Sequence, residues 1–269
     1  MRSLWPRIRQ GHVPDGAWTD YHENSKTTRH AFSAPRGDDD AKAWMNAIER
    51  RPFVDHDLVD LPAHRRLEAS LGDVLQHRRS SRDLRHTRLS AELLSTLLHA
   101  TYGITQTRDE KLELRTVPSA GAMYPLEVFV ALGGGHELEP GLYGYVPHRP
   151  ALHRSRGGDA LEAVACCMVE RDLVRNAAAV VLIAGVFDRT IYKYGERGYR
   201  FVLLEAGHAA QNLILACQAT GLGALPYGGM VDREVDALLG VDGLQISCVY
   251  AIVVGRPALP RESEGGGPG

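Results

Sequence analysis

The spacing of apolar positions changes along this chain, and each change predicts an element. Residues 126–132, Leu-Glu-Val-Phe-Val-Ala-Leu, alternate and are rich in β-forming side chains, which predicts a strand. Residues 179–184 form an unbroken apolar run of buried-strand length, and 246–254 predicts the last strand. The segments 142–146 and 151–154 flank Pro147-His148-Arg149-Pro150 and predict a hairpin. Helical spacing marks 71–78 and 160–169. A further helix carries Leu93, Leu94, Leu97 and Leu98 on one stripe, with Ser90 as its N-cap and Gly103 at its close. Asp232 predicts a cap for a short helix ending at Leu239.

The segment 199–220 is the architectural clue. Val202, Ala206, Ala209, Leu213 and Ala216 fall on one helical face, while Phe201, Leu204, Leu215 and Ala219 fall elsewhere. A helix apolar nearly all round is expected to be buried on all sides, and a dimer with a helical interface is one way to bury it. Strands and helices without strict βαβ alternation place the chain in the α+β class.

Residues 1–70 read differently and are expected to form an extension wrapped on a core domain at 71–260, with 261–269 as a flexible tail. All three tryptophans, Trp5, Trp18 and Trp44, lie in the extension, together with the acidic run Asp38-Asp39-Asp40 and a short helix expected over 42–50. Aromatic anchors argue that such a segment docks. There is no internal repeat, and low complexity is confined to the glycine-rich end, 265–269.

Composition narrows the function. The chain has 269 residues, 44% of them hydrophobic, enough to bury a sizeable core. A formal net charge of −2 gives no general attraction to nucleic acid or acidic membranes. No apolar run approaches a membrane span, and the basic start lacks the apolar stretch of a secretory signal, so a cytoplasmic location is expected. The four cysteines, Cys166, Cys167, Cys217 and Cys248, have no metal-ligand spacing; neighbours on a helix point about 100° apart. They read as buried thiols, and no metal site is expected.

Four segments carry chemistry. In His77-Arg78-Arg79-Ser80-Ser81-Arg82, guanidinium forks with interleaved hydroxyls suit a phosphate, although a solvated basic turn has the same composition. Pro118-Ser119-Ala120-Gly121-Ala122 puts small residues behind a proline, so a flat ligand could approach the backbone. Leu225-Pro226-Tyr227-Gly228-Gly229-Met230 has the same character; each also reads as a plain turn. Tyr192-Lys193-Tyr194-Gly195-Glu196-Arg197-Gly198-Tyr199-Arg200 sets an ionisable Lys-Tyr pair immediately before the apolar helix, where a core meets a cavity and proton-transfer residues can be tuned. An exposed Lys-Tyr pair at a helix start is the alternative. Gly221-Leu222-Gly223 follows a helix rather than a strand, so it is not a dinucleotide fingerprint, and Gly133-Gly134-Gly135-His136 lacks the Lys-Ser/Thr of a nucleotide-triphosphate loop. Glu205 and Arg200 are read as a buried pair, and His208 as a core or dimer histidine.

Taken in order, Arg-Arg-Ser-x-Arg, Pro-Ser-Ala-Gly-x-x-Tyr-Pro-Leu-Glu, Lys-Tyr-Gly-x-Arg-Gly-Tyr-Arg, Glu-Ala-Gly-His-x-x-Gln-Asn and Val-Gly-Arg-Pro resemble the nitroreductase superfamily over roughly 70–257. The resemblance is strongest to the SagB-type dehydrogenase branch, which includes the azoline oxidases of thiazole/oxazole-modified peptide biosynthesis. Tyr21-His22-Glu23-Asn24-Ser25-Lys26 is similar to the short extension of that branch. The resemblance implies an FMN-binding α+β fold with a mixed central sheet flanked by helices. It also implies a homodimer with two flavins at the interface. Carried over, Arg78, Ser80 and Arg82 would meet the FMN phosphate and the pyrimidine edge of the ring. The loop Pro118, Ser119, Ala120, Gly121 and Ala122 would approach the flavin from the other subunit. Pro226, Gly228 and Gly229 would present backbone near N5, and Arg256 or Arg261 would supply a C-terminal phosphate contact. Ala122 stands where related nitroreductases often have asparagine. Lys193 and Tyr194 match the pair assigned as catalytic in azoline oxidases.

The resulting expectation is an FMN-dependent dehydrogenase acting on a peptide or small-molecule biosynthetic intermediate, with partner biosynthetic enzymes. The alternatives are an NAD(P)H-dependent nitro- or quinone reductase of the same fold, and a non-catalytic flavin-binding subunit of a biosynthetic complex.

Overall fold

The computed structural model describes residues 17–26, 57–108 and 112–258. Trp5, Trp44, the 38–40 acidic run, the helix expected over 42–50, Arg261 and the glycine-rich end lie outside the described residues. In chain order the elements are α1 (Ala17–Asn24), β1 (Leu58–Asp60), α2 (Leu71–His77), β2 (Leu84–Arg85), α3 (Ala91–Tyr102), β3 (Ile104–Arg108), β4 (Leu112–Arg115), β5 (Leu126–Leu132), β6 (Gly141–Val146), β7 (Ala151–Gly157), α4 (Ala160–Cys166), α5 (Arg171–Arg175), β8 (Ala179–Val186), α6 (Asp188–Tyr194), α7 (Arg197–Ala219), β9 (Gly223–Tyr227), α8 (Asp232–Leu239) and β10 (Ile246–Pro257).

An α+β fold results, built on an eight-stranded sheet ordered β1-β7-β6-β5-β8-β10-β2, with β9 paired to β10. Every strand pair described in it is antiparallel, and the mixed character expected of the sheet is confined to a single parallel bridge, Ser80 to Ala224. The central strands are buried on both faces, and their period-two alternation divides the core in two. Val128 and Val130 of β5, Val181 and Ile183 of β8, and Ile252 and Val254 of β10 face one layer, where Leu94, Leu97 and Leu98 of α3 meet Val202, Ala206 and Leu213 of α7. Phe129, Ala131, Val180, Leu182, Ala251 and Val253 face the other, against Leu161 and Val164 of α4 and Val235 and Leu239 of α8. Full burial of each valine, leucine, isoleucine or phenylalanine among them contributes about 1.5–3 kcal/mol.

Several expectations are adjusted. The long helix is not covered on all sides within one chain: Leu203, Leu204, Gly207, His208 and Gln211 are exposed, the last four along one stripe. The helix expected over 160–169 stops at Cys166, because Cys167 caps it and Met168 bridges to Met230. Asp232 is the first residue of α8 rather than its cap; Val231 holds that position without a side-chain hydrogen bond. Ser90 caps α3 as expected, its hydroxyl accepting from the Leu93 N–H. Cys167, Cys217 and Cys248 are buried and Cys166 is exposed; all four are free thiols. Among the described residues no helix is long and apolar enough to cross a membrane, and no cluster of three or more His, Cys, Asp or Glu could hold a metal.

Candidate active site

The Lys193–Tyr194 pair ends helix α6, which leaves the sheet directly after β8. Gly195 closes the helix at φ 58°, ψ −150°, a conformation open essentially to glycine alone, and its N–H donates to Ile191 O at 2.7 Å. The chain then turns into α7. A Cβ on Gly198 would lie 2.7 Å from the Ile191 backbone nitrogen, so the two helices cross at a distance only glycine allows. Both side chains of the pair are half-buried. The Tyr194 ring meets Phe201 edge-on at 5.0 Å, Lys193 Nζ lies 5.7 Å from the Tyr194 ring centre, and burial raises the Tyr194 phenol above its ordinary pKa.

The loop at 118–122 comes to this pair through its glycine. A Cβ built on Gly121 would stand 2.6 Å from Tyr194 Oη and 3.2 Å from Lys193 Nζ, and Gly121 has φ +60°. Ala122 (φ 54°) and Tyr124 (φ 46°) are also left-handed, so strain is concentrated within the four residues 121–124. Hydrogen bonds over-determine the shape: Tyr124 N–H donates to Ser119 Oγ (2.9 Å), Ala122 N–H to Ser119 O (3.1 Å), and Tyr124 O accepts from Arg189 (3.3 Å).

Behind the loop lies a buried carboxyl that the sequence reading missed as a site residue. Glu205 lines an open cavity of about 250 Å³ with Pro118, Ser119, Ala120, Phe201, Leu204 and His208, yet it is only 2% exposed. Tyr102 Oη donates to its Oε1 at 2.6 Å and accepts from Leu126 N–H at 3.1 Å, while the Arg115 guanidinium sits 4.3 Å above the Tyr102 ring. Burial pushes the Glu205 carboxyl up to about 7, against hydrogen bonds from Ser119 and Tyr102 and the charges of Arg115 and Arg189. Arg200 is not its partner, contrary to expectation. Positions five apart on a helix differ by about 140°, so the two side chains leave opposite sides of α7. Arg200 turns instead to Ser25 and His22. His208 is exposed at the cavity rather than in the core. The available signal was a lone glutamate on the face shared by Val202, Ala206 and Ala209.

The remaining predicted residues gather where β9 and β10 meet the segment after α2. Arg78 caps the C-terminus of α2 and is half-buried; Ser80 bridges to Ala224, and Ser81 N–H donates to Ala224 O at 3.1 Å. A Cβ on Gly223 would fall 2.8 Å from Ser81 Oγ, which keeps the two backbones in close approach. Pro226 lies in β9 opposite Ile252, and Arg256 of β10 is opposite Arg85 of β2. Gly229 O accepts from Val169 N–H (2.8 Å), whereas a Cβ on Gly228 would meet open space. Arg79 turns back onto the carbonyls of Gln76 and Arg78, and among the described residues neither Arg78 nor Arg82 has an acidic partner. Two clusters are thus defined: Lys193 and Tyr194 meet the 118–122 loop at Gly121, and the segment of Arg78, Ser80 and Arg82 meets β9 at Ala224, with Pro226 further along that strand, Arg256 on the neighbouring β10 and Gly229 bonded to Val169. Among the described residues no hydrogen bond or ion pair links one to the other.

Comparisons with known proteins agree with this architecture. MJ1384 of Methanocaldococcus jannaschii, named for the nitroreductases, is 37% identical over 174 residues, 65% of this chain and 86% of that protein. The microcin B17-processing protein McbC of Escherichia coli is 28% identical over 48% of this chain, which spans about half (49%) of McbC's length. A crystal structure from Anabaena variabilis, also named for the nitroreductases, superposes with TM-score 0.68 at 26% identity over 88% of this chain and 45% of that one. The E. coli McbBCD microcin synthetase complex with truncated pro-MccB17 bound shares the fold (TM-score 0.58, 21% identity, 88% and 85% covered). So does a Desulfovibrio desulfuricans structure in complex with FMN (TM-score 0.50, 22% identity, 71% and 88% covered). The family model described as "Nitroreductase family" matches residues 75–256, and with more than half its length inside that match the chain belongs to the nitroreductase family.

Proposed function

We propose that this protein is an FMN-dependent dehydrogenase that oxidises an azoline-type ring in a peptide or small-molecule biosynthetic intermediate, working as a homodimer. The observation that carries the reading is the convergence of Lys193 Nζ and Tyr194 Oη on Gly121, a position with no room for a side chain. The similarity to McbC, a peptide-processing protein, supports it.

The second cluster suits FMN. Among the described residues Arg78 and Arg82 lack acidic partners beside the exposed Ser80 hydroxyl, a donor set matched to a phosphate, and the open side of Gly228 leaves backbone free to meet a flat ring. In this reading Arg78, Ser80, Arg82 and Arg256 hold the phosphate end, while Pro226, Gly228 and Gly229 lie along the ring. When bound, FMN supplies a two-electron acceptor for the hydride that leaves the azoline. Lys193 Nζ takes the accompanying proton from the neighbouring ring carbon, and the Tyr194 phenol orients the substrate or passes that proton on. The exposed stripe Leu204, Gly207, His208 and Gln211 is the surface on which a second copy would pack, presenting the 118–122 loop to its partner's flavin.

A reductase using NAD(P)H is the second reading, favoured by the 37% identity to MJ1384. A Lys193→Ala variant separates the two. With bound flavin retained, oxidation of a synthetic peptide carrying one thiazoline should fall about 10²–10⁴-fold, the usual contribution of a positioned general base. Tyr194→Phe should be milder, and flavin reduction by dithionite should not change. Full turnover in Lys193→Ala would exclude the base assignment.

A further inference from the structure

The chain's N-terminal helix grips the corner that carries Lys193 and Tyr194. Helix α1 has eight residues and buries none of them, so neither its length nor a core face can hold it. What holds it is the start of α7. Arg200 Nη2 donates to His22 O at 2.6 Å, and its Nε donates to Ser25 Oγ at 2.8 Å. The same guanidinium lies 5.7 Å over the Tyr21 ring. His22 O belongs to the last turn of α1, where carbonyls lack helical partners, so Arg200 caps that helix from outside. Ser25 is left only 2% exposed beneath it, its hydroxyl also turned to Tyr21 O. Tyr21 Oη donates to Glu196 O at 3.2 Å, and the Tyr21 ring meets Tyr199 edge-on at 5.4 Å. Tyr199 in turn packs on Phe187 at 5.1 Å, immediately before α6. These contacts touch both ends of the Lys193–Tyr194 helix: Glu196 two residues beyond Tyr194, and Phe187 at its origin.

We propose that Arg200 is a positioning residue, clamping residues 17–26 across the α6–α7 corner and so holding Lys193 and Tyr194 against Gly121. The inference rests on the reading of Lys193 and Tyr194 as the reacting pair. Its physical basis is that the strap holds residues on both sides of Gly195, the hinge of the corner: Glu196 and Arg200 beyond it, and Phe187 through Tyr199 before it. These outside contacts add to the corner's own restraints, the Gly195 N–H bond to Ile191 O, the Gly198 N–H bond to Gly195 O and the close Gly198–Ile191 approach. The planar fork of arginine reaches two acceptors at once, which a lysine ammonium on a flexible stem does not reproduce.

The test uses the full chain with Arg200→Ala, Arg200→Lys and Tyr21→Phe. Hydrogen exchange of the amides at 192–198 reports the corner directly, independent of any activity. In Arg200→Ala these amides, as well as those of 18–26, should exchange about tenfold faster or more, while the sheet amides of β5 and β8 stay protected. Flavin content and dithionite reduction should be unchanged. Oxidation of the thiazoline peptide should drop about 10²-fold, the cost of a misplacement near 1 Å. Arg200→Lys should recover little of this. Tyr21→Phe, which loses only the bond to Glu196 and is the variant to read if Arg200→Ala does not fold, should show a smaller effect of the same sign. Faster exchange at 18–26 with unchanged exchange at 192–198 would overturn the proposal, since the strap would then be an appendage. Wild-type protein that does not oxidise the thiazoline, yet shows the coupled exchange, would leave the clamp standing and remove the dehydrogenase reading instead.

Discussion

The Glu205 carboxyl makes stability depend on pH in a direction opposite to that of carboxylates held by ion pairs. Burial raises it from an ordinary 4.5 to about 7 in the folded chain. At about 1.4 kcal/mol per factor of ten, that difference corresponds to about 3 kcal/mol. The folded value lies above the unfolded one, so the native state holds the proton more tightly. The stabilisation is complete below about 4.5 and is lost as pH rises through about 7. Glu205→Gln replaces the neutral acid with an amide that still accepts from Tyr102 and has the Ser119 hydroxyl beside it. Chemical denaturation at pH 5 and pH 8 measures the difference. The variant should lie within about 1 kcal/mol of the parent at pH 5, and at pH 8 it should be the more stable by up to about 3 kcal/mol. His99 and His136, which burial holds below their ordinary value, add stability as pH rises, but both proteins contain them and they cancel in the comparison. Equal stability differences at the two pH values would refute the reasoning and mean that Glu205 is hydrated or ion-paired in solution.

Other outcomes follow from the two clusters and the exposed stripe. Arg78→Ala combined with Arg82→Ala should strip the flavin from purified protein, since hydrogen bonds to charged groups contribute about 1.5–3 kcal/mol each; absorbance near the flavin bands reads the loss. Gly121→Ala forces a methyl into 2.6 Å contact with Tyr194 Oη at a left-handed backbone position, and should cost about 1–3 kcal/mol in a thermal melt while displacing the phenol. Leu204→Asp, on the exposed stripe of α7, should produce a folded monomer by light scattering. A charge at Ala209 or Leu213, both buried within one chain, should unfold the chain instead.

The sequence made some of this legible and hid the rest for identifiable reasons. Strand β5 announces itself by alternation, β8 by an unbroken apolar run, helix α3 by its stripe of leucines, and α7 by being apolar nearly all round. Helix α6 does not: Asp188 to Tyr194 holds a single aliphatic residue, Ile191, among polar and aromatic ones and shows no stripe; it is held by packing on α7. Strand β9 reads as a ligand loop because Gly223, Pro226 and Gly228 are loop residues. Pro226 is tolerated there because, among the described residues, β9 pairs with β10 and otherwise only through the Ser80–Ala224 bridge, which leaves an edge at Pro226 that needs no donor. The hairpin of β3 and β4 is mostly polar and lacks a pattern of its own. The site residues could be named from motifs, but their grouping could not. That Gly121 meets Lys193 and Tyr194 across some seventy residues is a property of packing, as is the exchange of Glu205's expected partner for Tyr102.

The four thiols give the chain a gauge of its own integrity. Cys167, Cys217 and Cys248 are sealed into the two core layers, and burial pushes Cys217 and Cys248 up to about 12, so neither presents a reactive thiolate near neutral pH. Cys166 alone faces water, at the end of α4 and far in sequence from either cluster. An alkylating probe therefore counts one thiol on the intact molecule and four on the unfolded one. A spectroscopic label can be attached at that position without engineering.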